Sequence, residues 1–274
     1  MRVVRTLCGA ALLGLAAAAG IAFAFAQRAN FSADATTANV SAGTTTIAEQ
    51  YLLSAANQER AARGLQLLRR DPDLARSAAA HAHEMATRGS ISHQFPGEPD
   101  LSQRGASAGV AFSSISENVA RAPSAVEIHD LWMHSEHHRE NLLDPAIDSA
   151  GISVVEVNGE LYAVEDFVKT VRAVSLGEQE SAIASLVAKG GVSLANDPAT
   201  VSAARATCAM ASGFAGARRP LFVMRFTSDN LNELPDQLKT RLASGRYRQA
   251  AVGACASTDR SAFTSYSLAV LLYP

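Results

Sequence analysis

The chain has 274 residues, 48% of them hydrophobic and 18% charged. That is enough for one large domain or two small ones, and it is unlike an intrinsically disordered composition. A formal charge of −2 gives no electrostatic reason to expect nucleic-acid binding.

The N-terminus reads as a targeting segment. Arg2 and Arg5 precede an uncharged apolar run from Leu7 to Phe23, and Ala24-Phe25-Ala26 forms a small-x-small cleavage site. Residues 1–26 are therefore expected to be a signal peptide. The competing reading is an uncleaved anchor, for which the run is at the lower limit of length. Cleavage would remove two of 24 basic residues and no acid, leaving 22 against 26, a net charge of −4. Residues 27–46 are rich in Ala, Thr, Ser and Asn without hydrophobic periodicity and read as a flexible linker.

Folding is expected to begin near Ile47. Ile47, Tyr51, Leu52 and Ala55 recur at helical spacing, predicting a helix over 47–63 that stops at Gly64. Asp71-Pro72 supplies an N-cap and an N1 proline for a helix over 72–88, with Gly89 as its stop. Residues 90–116 read as loop. Ser124-x-x-Glu127 is a capping box opening a further helix. Gly151–Val157 and Leu161–Val168 are strand-like runs separated by Asn158-Gly159, a hairpin signal. Helices that must bury their apolar faces and a hairpin with a face to offer predict a sheet sandwiched by helices.

Composition shifts after Thr170. Residues 176–190 read as a helix, Asp197-Pro198 opens another to about Met210, and 221–226 reads as a strand. Residues 230–242 are helical by pattern, disturbed or started by Pro235. Residues 250–254 and 266–273 read as strands. This is a second α+β unit, placed at 175–274, in which no motif for chemistry is found. No internal repeat of solenoid length is visible. With Cys8 inside the signal, Cys208 and Cys255 remain; in an oxidising compartment they would pair, stapling a helix to a strand end. The alternative is two buried free thiols.

All seven histidines lie between residues 81 and 138, a clustering that points to metal or acid–base chemistry. His83-Glu84 lacks the second histidine of a zincin helix, because position 87 is Thr87. His81 lies near the apolar stripe and reads as a core or boundary residue. His134 and His138 are one helical turn apart and could share a metal if the helix extends that far. His129, His134 and His137 individually read as ordinary polar residues.

Several pieces in order resemble one family. These are Asn57-x-x-Arg60 with Gly64-Leu65-x-x-Leu68, Ser92-His93, Arg104-Gly105, Glu117-Asn118-Val119-Ala120, and Trp132-Met133-x-Ser135-x-x-His138-Arg139-x-Asn141-Leu142-Leu143. Gly151-Ile152 and the strand ending at Phe167 close the series. Together they resemble bacterial CAP domains (cysteine-rich secretory/antigen 5/pathogenesis-related), placing such a domain over 47–170. The resemblance implies an α-β-α sandwich, followed here by the smaller α+β unit. It also implies a cleft lined by two histidines and two acids: His93, His138, Glu117 and a position occupied here by Ser135. His93 and His138 are the candidate metal ligands, with Glu117 a third zinc-type ligand; a divalent cation such as zinc is the one cofactor these residues suggest. Alternatively Glu117 holds one histidine's tautomer, or the trio is a structural hydrogen-bond network. Arg60 and Asn57 are expected to tie down loops, Trp132 to fill the core, and Asn141 to bridge backbone before Asp144.

No Ser-His-Asp or Cys-His nucleophile is evident, and Ser135 lacks a glycine elbow, so the reading leans away from an enzyme. The function expected is a secreted, periplasmic or cell-envelope module binding a small apolar, glycan or peptide ligand. A membrane is involved only through an uncleaved N-terminal segment. The alternatives are a structural or interaction protein and a metal-assisted or acid–base hydrolase of peptide or wall substrates.

Overall fold

The computed structural model describes residues 45–257 and 262–274. The signal segment, Cys8 and all but the last two residues of the predicted linker lie outside the described residues. No described helix is long and apolar enough to cross a membrane.

The first half begins with α1 (Ile47–Ala61). Thr46 caps it, accepting from Glu49 N while the Glu49 side chain accepts from Thr46 N, a full capping box. Then come β1 (Arg69–Arg70), α2 (Pro72–Arg88), α3 (Leu101–Ser107) and β2 (Phe112–Ala122). They are followed by α4 (Ala125–His134), α5 (Glu136–Leu143), β3 (Ser149–Val157) and β4 (Glu160–Thr170). The helix at 72–88 has the predicted bounds, with Asp71 capping two backbone N–H groups and Gly89 left-handed at φ 64°. The β3–β4 hairpin turns on Asn158 (φ 55°) and Gly159 (φ 79°), as the Asn-Gly pair predicts.

The four strands form one sheet in the order β1-β3-β4-β2, antiparallel except for β1 against β3. Alternate β4 residues face opposite layers. Ala163 and Phe167 pack with Leu52 of α1 and Ile128 and Trp132 of α4. Val164 packs with Ala78, Ala82 and Met85 of α2. The result is the expected helix–sheet–helix sandwich. Gly151 lets α2 approach: a Cβ there would lie 2.3 Å from the Leu74 carbonyl carbon.

The predicted loop at 90–116 is a correction. It contains α3 and the start of β2, the strand that carries Glu117. The signal was weak because β2 reads FSSISENVARA: its polar residues fall at inward positions, which breaks apolar–polar alternation. The condition for His134 and His138 to share one helical turn, a helix that extends that far, is not met. Ser135 leaves helical conformation (φ −93°, ψ 124°) and separates α4 from α5.

The second half contains α6 (Leu176–Lys189), β5 (Ser193–Leu194), α7 (Pro198–Cys208) and β6 (Phe222–Ser228). It ends with α8 (Asp236–Ala243), β7 (Gln249–Cys255) and β8 (Tyr266–Tyr273). The helix expected over 230–242 starts later, because Pro235 takes the N-cap position. Cys208 and Cys255 are disulfide-bonded, with Cα atoms 5.8 Å apart.

This half repeats the first. Its sheet order is β5-β7-β8-β6, again with one parallel pair, β5 against β7. Both halves open on a capping box (Thr46/Glu49; Ser175/Glu178), and both start their second helix at Asp-Pro. Gly253 receives α7 as Gly151 receives α2, with a built Cβ 2.2 Å from the Ala204 carbonyl carbon. Two elements of the first half, α3 and α5, have no counterpart among the described residues of the second.

Candidate functional site

The cluster forms at β2, the edge strand, where side chains from both faces of the sheet can meet beyond the last strand. Glu117 points to the α2 side and is buried, with 5% of its surface exposed. One of its oxygens accepts from His93 Nδ1 at 2.9 Å. The other accepts from Arg104 Nη2 at 2.5 Å. Arg104 comes from α3, is itself buried, and also donates to the His93 and Pro99 carbonyls at 3.2 and 3.3 Å. Gly105 makes this seating possible, since a Cβ there would fall 2.9 Å from Ile115 Cδ1. Beneath them His81 is fully buried, with Nδ1 2.6 Å from Glu98 Oε1 and Nε2 2.7 Å from the Ser92 carbonyl. His81 thus anchors the 92–98 segment that presents His93.

His138 reaches the same place from α5. Asn118, the next residue on β2, points to the opposite face; it donates to the His138 carbonyl at 2.9 Å and accepts from Asn141 Nδ2 at 3.0 Å. Asn141 therefore clasps α5 to β2, and its predicted role in the turn before Asp144 is corrected. Arg60, fully buried, secures the far end of α5 by donating to the carbonyls of Gln66, Leu142, Asp144 and Ile147. Asn57 exchanges two hydrogen bonds with the Leu68 backbone. Both do what their positions predict, and Trp132 is fully buried in the core.

The imidazoles of His93 and His138 lie 6.4 Å apart between centroids. The His93 side chain is 61% exposed. Its hydrogen bond to Glu117 raises its pKa above the ordinary value. Burial first, and then the charges of His93 and His137, lower that of His138. The two rings are thus driven apart in basicity, so that protonation fills His93 before His138.

Sequence reasoning thus finds three residues that the structure brings to one place, but not in the order a metal centre needs. Glu117 stands behind His93, with both oxygens committed, rather than beside the two rings. Among the described residues no three His, Cys, Asp or Glu side chains come together as a metal-holding group. The geometry matches the tautomer-holding alternative, in which a carboxylate orients an imidazole and leaves Nε2 free. Ser135 caps α5 without a side-chain capping bond. His134 bonds the Asp130 carbonyl at 2.7 Å, and His137 is exposed beside Glu140.

The parts that composition missed are Arg104, Glu98 and His81 as members of the network. Their only signal is Arg104-Gly105, a bulky cation beside a residue with no side chain. Asp166, on β4 opposite Glu117 in the register, is fully buried. Burial first, then Glu117, pushes its pKa well above the carboxyl range.

The first half of the chain resembles known proteins. The profile described as the cysteine-rich secretory protein family, CAP, matches residues 53–168. An uncharacterized protein of Bacillus subtilis (strain 168), YkwD, is 32% identical over 136 residues, 48% of this chain and 52% of its own length. The chain spans about half the length of that curated relative. Among solved structures, an extracellular protein containing an SCP domain from Bacillus anthracis aligns at 25% identity and TM-score 0.42, over 47% of this chain and 45% of its own. An outer surface protein from Borrelia burgdorferi aligns at 21% identity and TM-score 0.44, over 47% of this chain and 96% of its own. The motifs, their order and the family match together place a CAP domain over residues 53–168 of this chain.

Proposed function

We propose that this protein is an exported ligand-binding module of the cell envelope or exterior, whose cleft at His93 and His138 takes a small apolar, glycan or peptide ligand. The observation that carries this reading is the exposed His93 ring paired with a less basic His138 ring 6.4 Å away, above a buried Arg104–Glu117 ion pair. A buried ion pair whose partners also hold His93 is a preorganised support, the arrangement a recognition site needs. No serine or cysteine nucleophile stands beside His93 among its hydrogen-bonded partners. Export rests on the N-terminal segment of the sequence.

A divalent ion enters this reading only through the two imidazoles, because Glu117 is turned to Arg104. Acid–base chemistry is the second reading, favoured by the 2.9 Å His93–Glu117 contact. The test is a melting-temperature screen of the full mature chain against lipids, wall fragments, peptides and divalent metals. A shift that disappears in His138→Ala supports the binding module. No shift with any of these, and no ion retained on purification, overturns it. Turnover of a peptide or wall substrate that falls in His93→Gln selects the second reading.

A further inference from the structure

We propose that one end of the second sheet is a docking surface for an anionic phospholipid bilayer, formed by Lys189, Arg218, Arg219, Arg241, Arg246 and Arg248 around the exposed Leu221. The inference goes beyond the cleft reading, does not depend on it, and is separate from any contact made by the N-terminal segment.

The sequence divides its charge unevenly. Residues 45–170 hold 10 Lys and Arg against 18 Asp and Glu, a net −8, whereas residues 171–274 hold 11 against 7, a net +4. The fold then gathers the basic excess. β7 starts, β8 ends and β6 starts at one end of the sheet, where Gln249 pairs with Tyr273 and Phe222 with Leu272. Arg246 and Arg248 lie in the turn that enters β7, and Arg248 N donates to the Tyr273 carbonyl at 3.0 Å. Arg218 and Arg219 precede β6. The Arg218 guanidinium donates to the Gln249 side chain and lies 4.2 Å from the Tyr273 ring centroid. That of Arg241 lies 5.2 Å from the ring of Phe222. Lys189 closes α6 shortly before Ser193, which pairs with Gln249. All six cations are exposed. None is in an ion pair among the described residues, whereas Arg205 is paired with Glu180, and Lys239 with Glu233 and Asp236. Asp197, which caps α7, is an acidic side chain at this end.

The first half shows that the fold does not call for these cations. Asp148 N donates to the Val168 carbonyl as Arg248 N does to that of Tyr273. The Asp148 carbonyl accepts from Arg69 N as the Arg248 carbonyl does from Ser193 N. An aspartate therefore stands where the second half has Arg248. Its carboxylate lies 3.7 Å from Arg69 and accepts from Thr170 Oγ1, so that sheet end is neutralised internally.

Grouped, unpaired like charges repel one another and add nothing to folding. They gain from an anionic partner, and planar guanidinium groups match phosphate oxygens in pairs. Leu221 selects the bilayer among such partners. It is 58% exposed beside Arg218 and Arg219. Headgroup phosphates would take the cations while the leucine enters the acyl boundary. A water-soluble polyanion would leave Leu221 in water. The acids of the first half oppose docking only weakly, because charges beyond about 8 Å are largely screened in physiological salt.

The experiment is co-sedimentation of the full chain with phosphatidylcholine vesicles, with and without one-third phosphatidylglycerol, comparing wild type with R219Q/R246Q/R248Q. Those three side chains make no hydrogen bond or ion pair among the described residues, so the variant should fold, which a denaturant melt checks. The N-terminal segment is common to both and cancels. Wild type is expected to prefer the anionic vesicles. The triple variant is expected to lose on the order of 100-fold of that preference, about fivefold per cation. Leu221→Ser should lose less, and His93→Ala/His138→Ala nothing. Equal preference in wild type and the triple variant would overturn the proposal. So would wild-type binding to soluble polyphosphate but not to vesicles, which would give the surface to a polymer. If the triple variant does not fold, wild type with spin-labelled phosphatidylglycerol decides. Broadened amide signals at 218–221 and 246–248 support the docking surface, and broadening confined to other residues overturns it.

Discussion

The two halves share a topology and differ in what their edge strands carry. In the first, β2 presents Glu117 to Arg104 and His93, and α3 and α5 exist to bring Arg104 and His138 to it. In the second, those two helices have no counterpart among the described residues. On the α7 side of the edge strand β6, Arg225 donates to the backbone carbonyls of Thr207 (2.7 Å) and Gly213, partners with no titratable group. A disulfide then joins α7 to β7. The same sandwich is thus built once around a polar site and once around an apolar core with a covalent staple. The polar cluster is an addition to the fold, made of two short helices and a handful of buried polar residues.

The comparison can be broken from its structural side first. Cys255→Ser should cost about 4 kcal/mol in the chain-entropy view of a loop closed over 47 residues. It should leave the His93 and His138 NMR signals unmoved. A change at those signals would mean that the halves are not energetically separate. Next, Gly151→Ala and Gly253→Ala should each cost about 3 kcal/mol, because each Cβ overlaps the helix backbone it faces. Denaturant melts of both variants check this, and a neutral effect at either glycine would refute the shared packing.

A gain is expected at Glu165, which lies on the opposite face from Asp166. It is fully buried with no partner among the described residues, and burial lifts its pKa from 4.5 to about 8. An acid whose folded pKa is raised binds extra protons when folded, so its contribution to stability falls as pH rises from about 4.5 to about 8 and is level beyond. Glu165→Gln removes that decline and should be more stable than wild type at pH 8, by up to about 4 kcal/mol, with the difference shrinking towards pH 4.5. Melts across this range would contradict the account if the difference did not grow with pH.

The smallest expected effect is at His93. Its raised pKa contributes stability that is present below about pH 6.5 and lost as pH rises through the raised value. Glu117→Gln should lower the His93 midpoint, followed by NMR titration, and remove that contribution. An unchanged midpoint would show that Glu117 does not control the ring.

How much of this could be read from the residues follows from where the signals are local. The N-caps at Asp71 and Asp197, the Asn158-Gly159 turn and the apolar stripe of α2 are short-range features, and the elements they predict are present. All seven histidines fall in one stretch, but only the resemblance to CAP domains singles out His93 and His138 within it. β2 was illegible because Glu117, Asn118 and Ser116 sit where a strand usually alternates. The Arg104–Glu117 and Glu117–Asp166 pairings join residues 13 and 49 positions apart, and only the sheet register brings the latter together. The repeat was illegible for a related reason: shared layers and glycine contacts require little common sequence.

The most direct test of the central claim is chemical-shift mapping of the whole chain with the compound that gives the largest melting shift in the ligand screen. The account predicts perturbations confined to residues 92–104, 116–118 and 135–141, and their loss in His93→Ala/His138→Ala with the fold intact. Perturbations centred on β6 and α7, or full binding by the double variant, would contradict it.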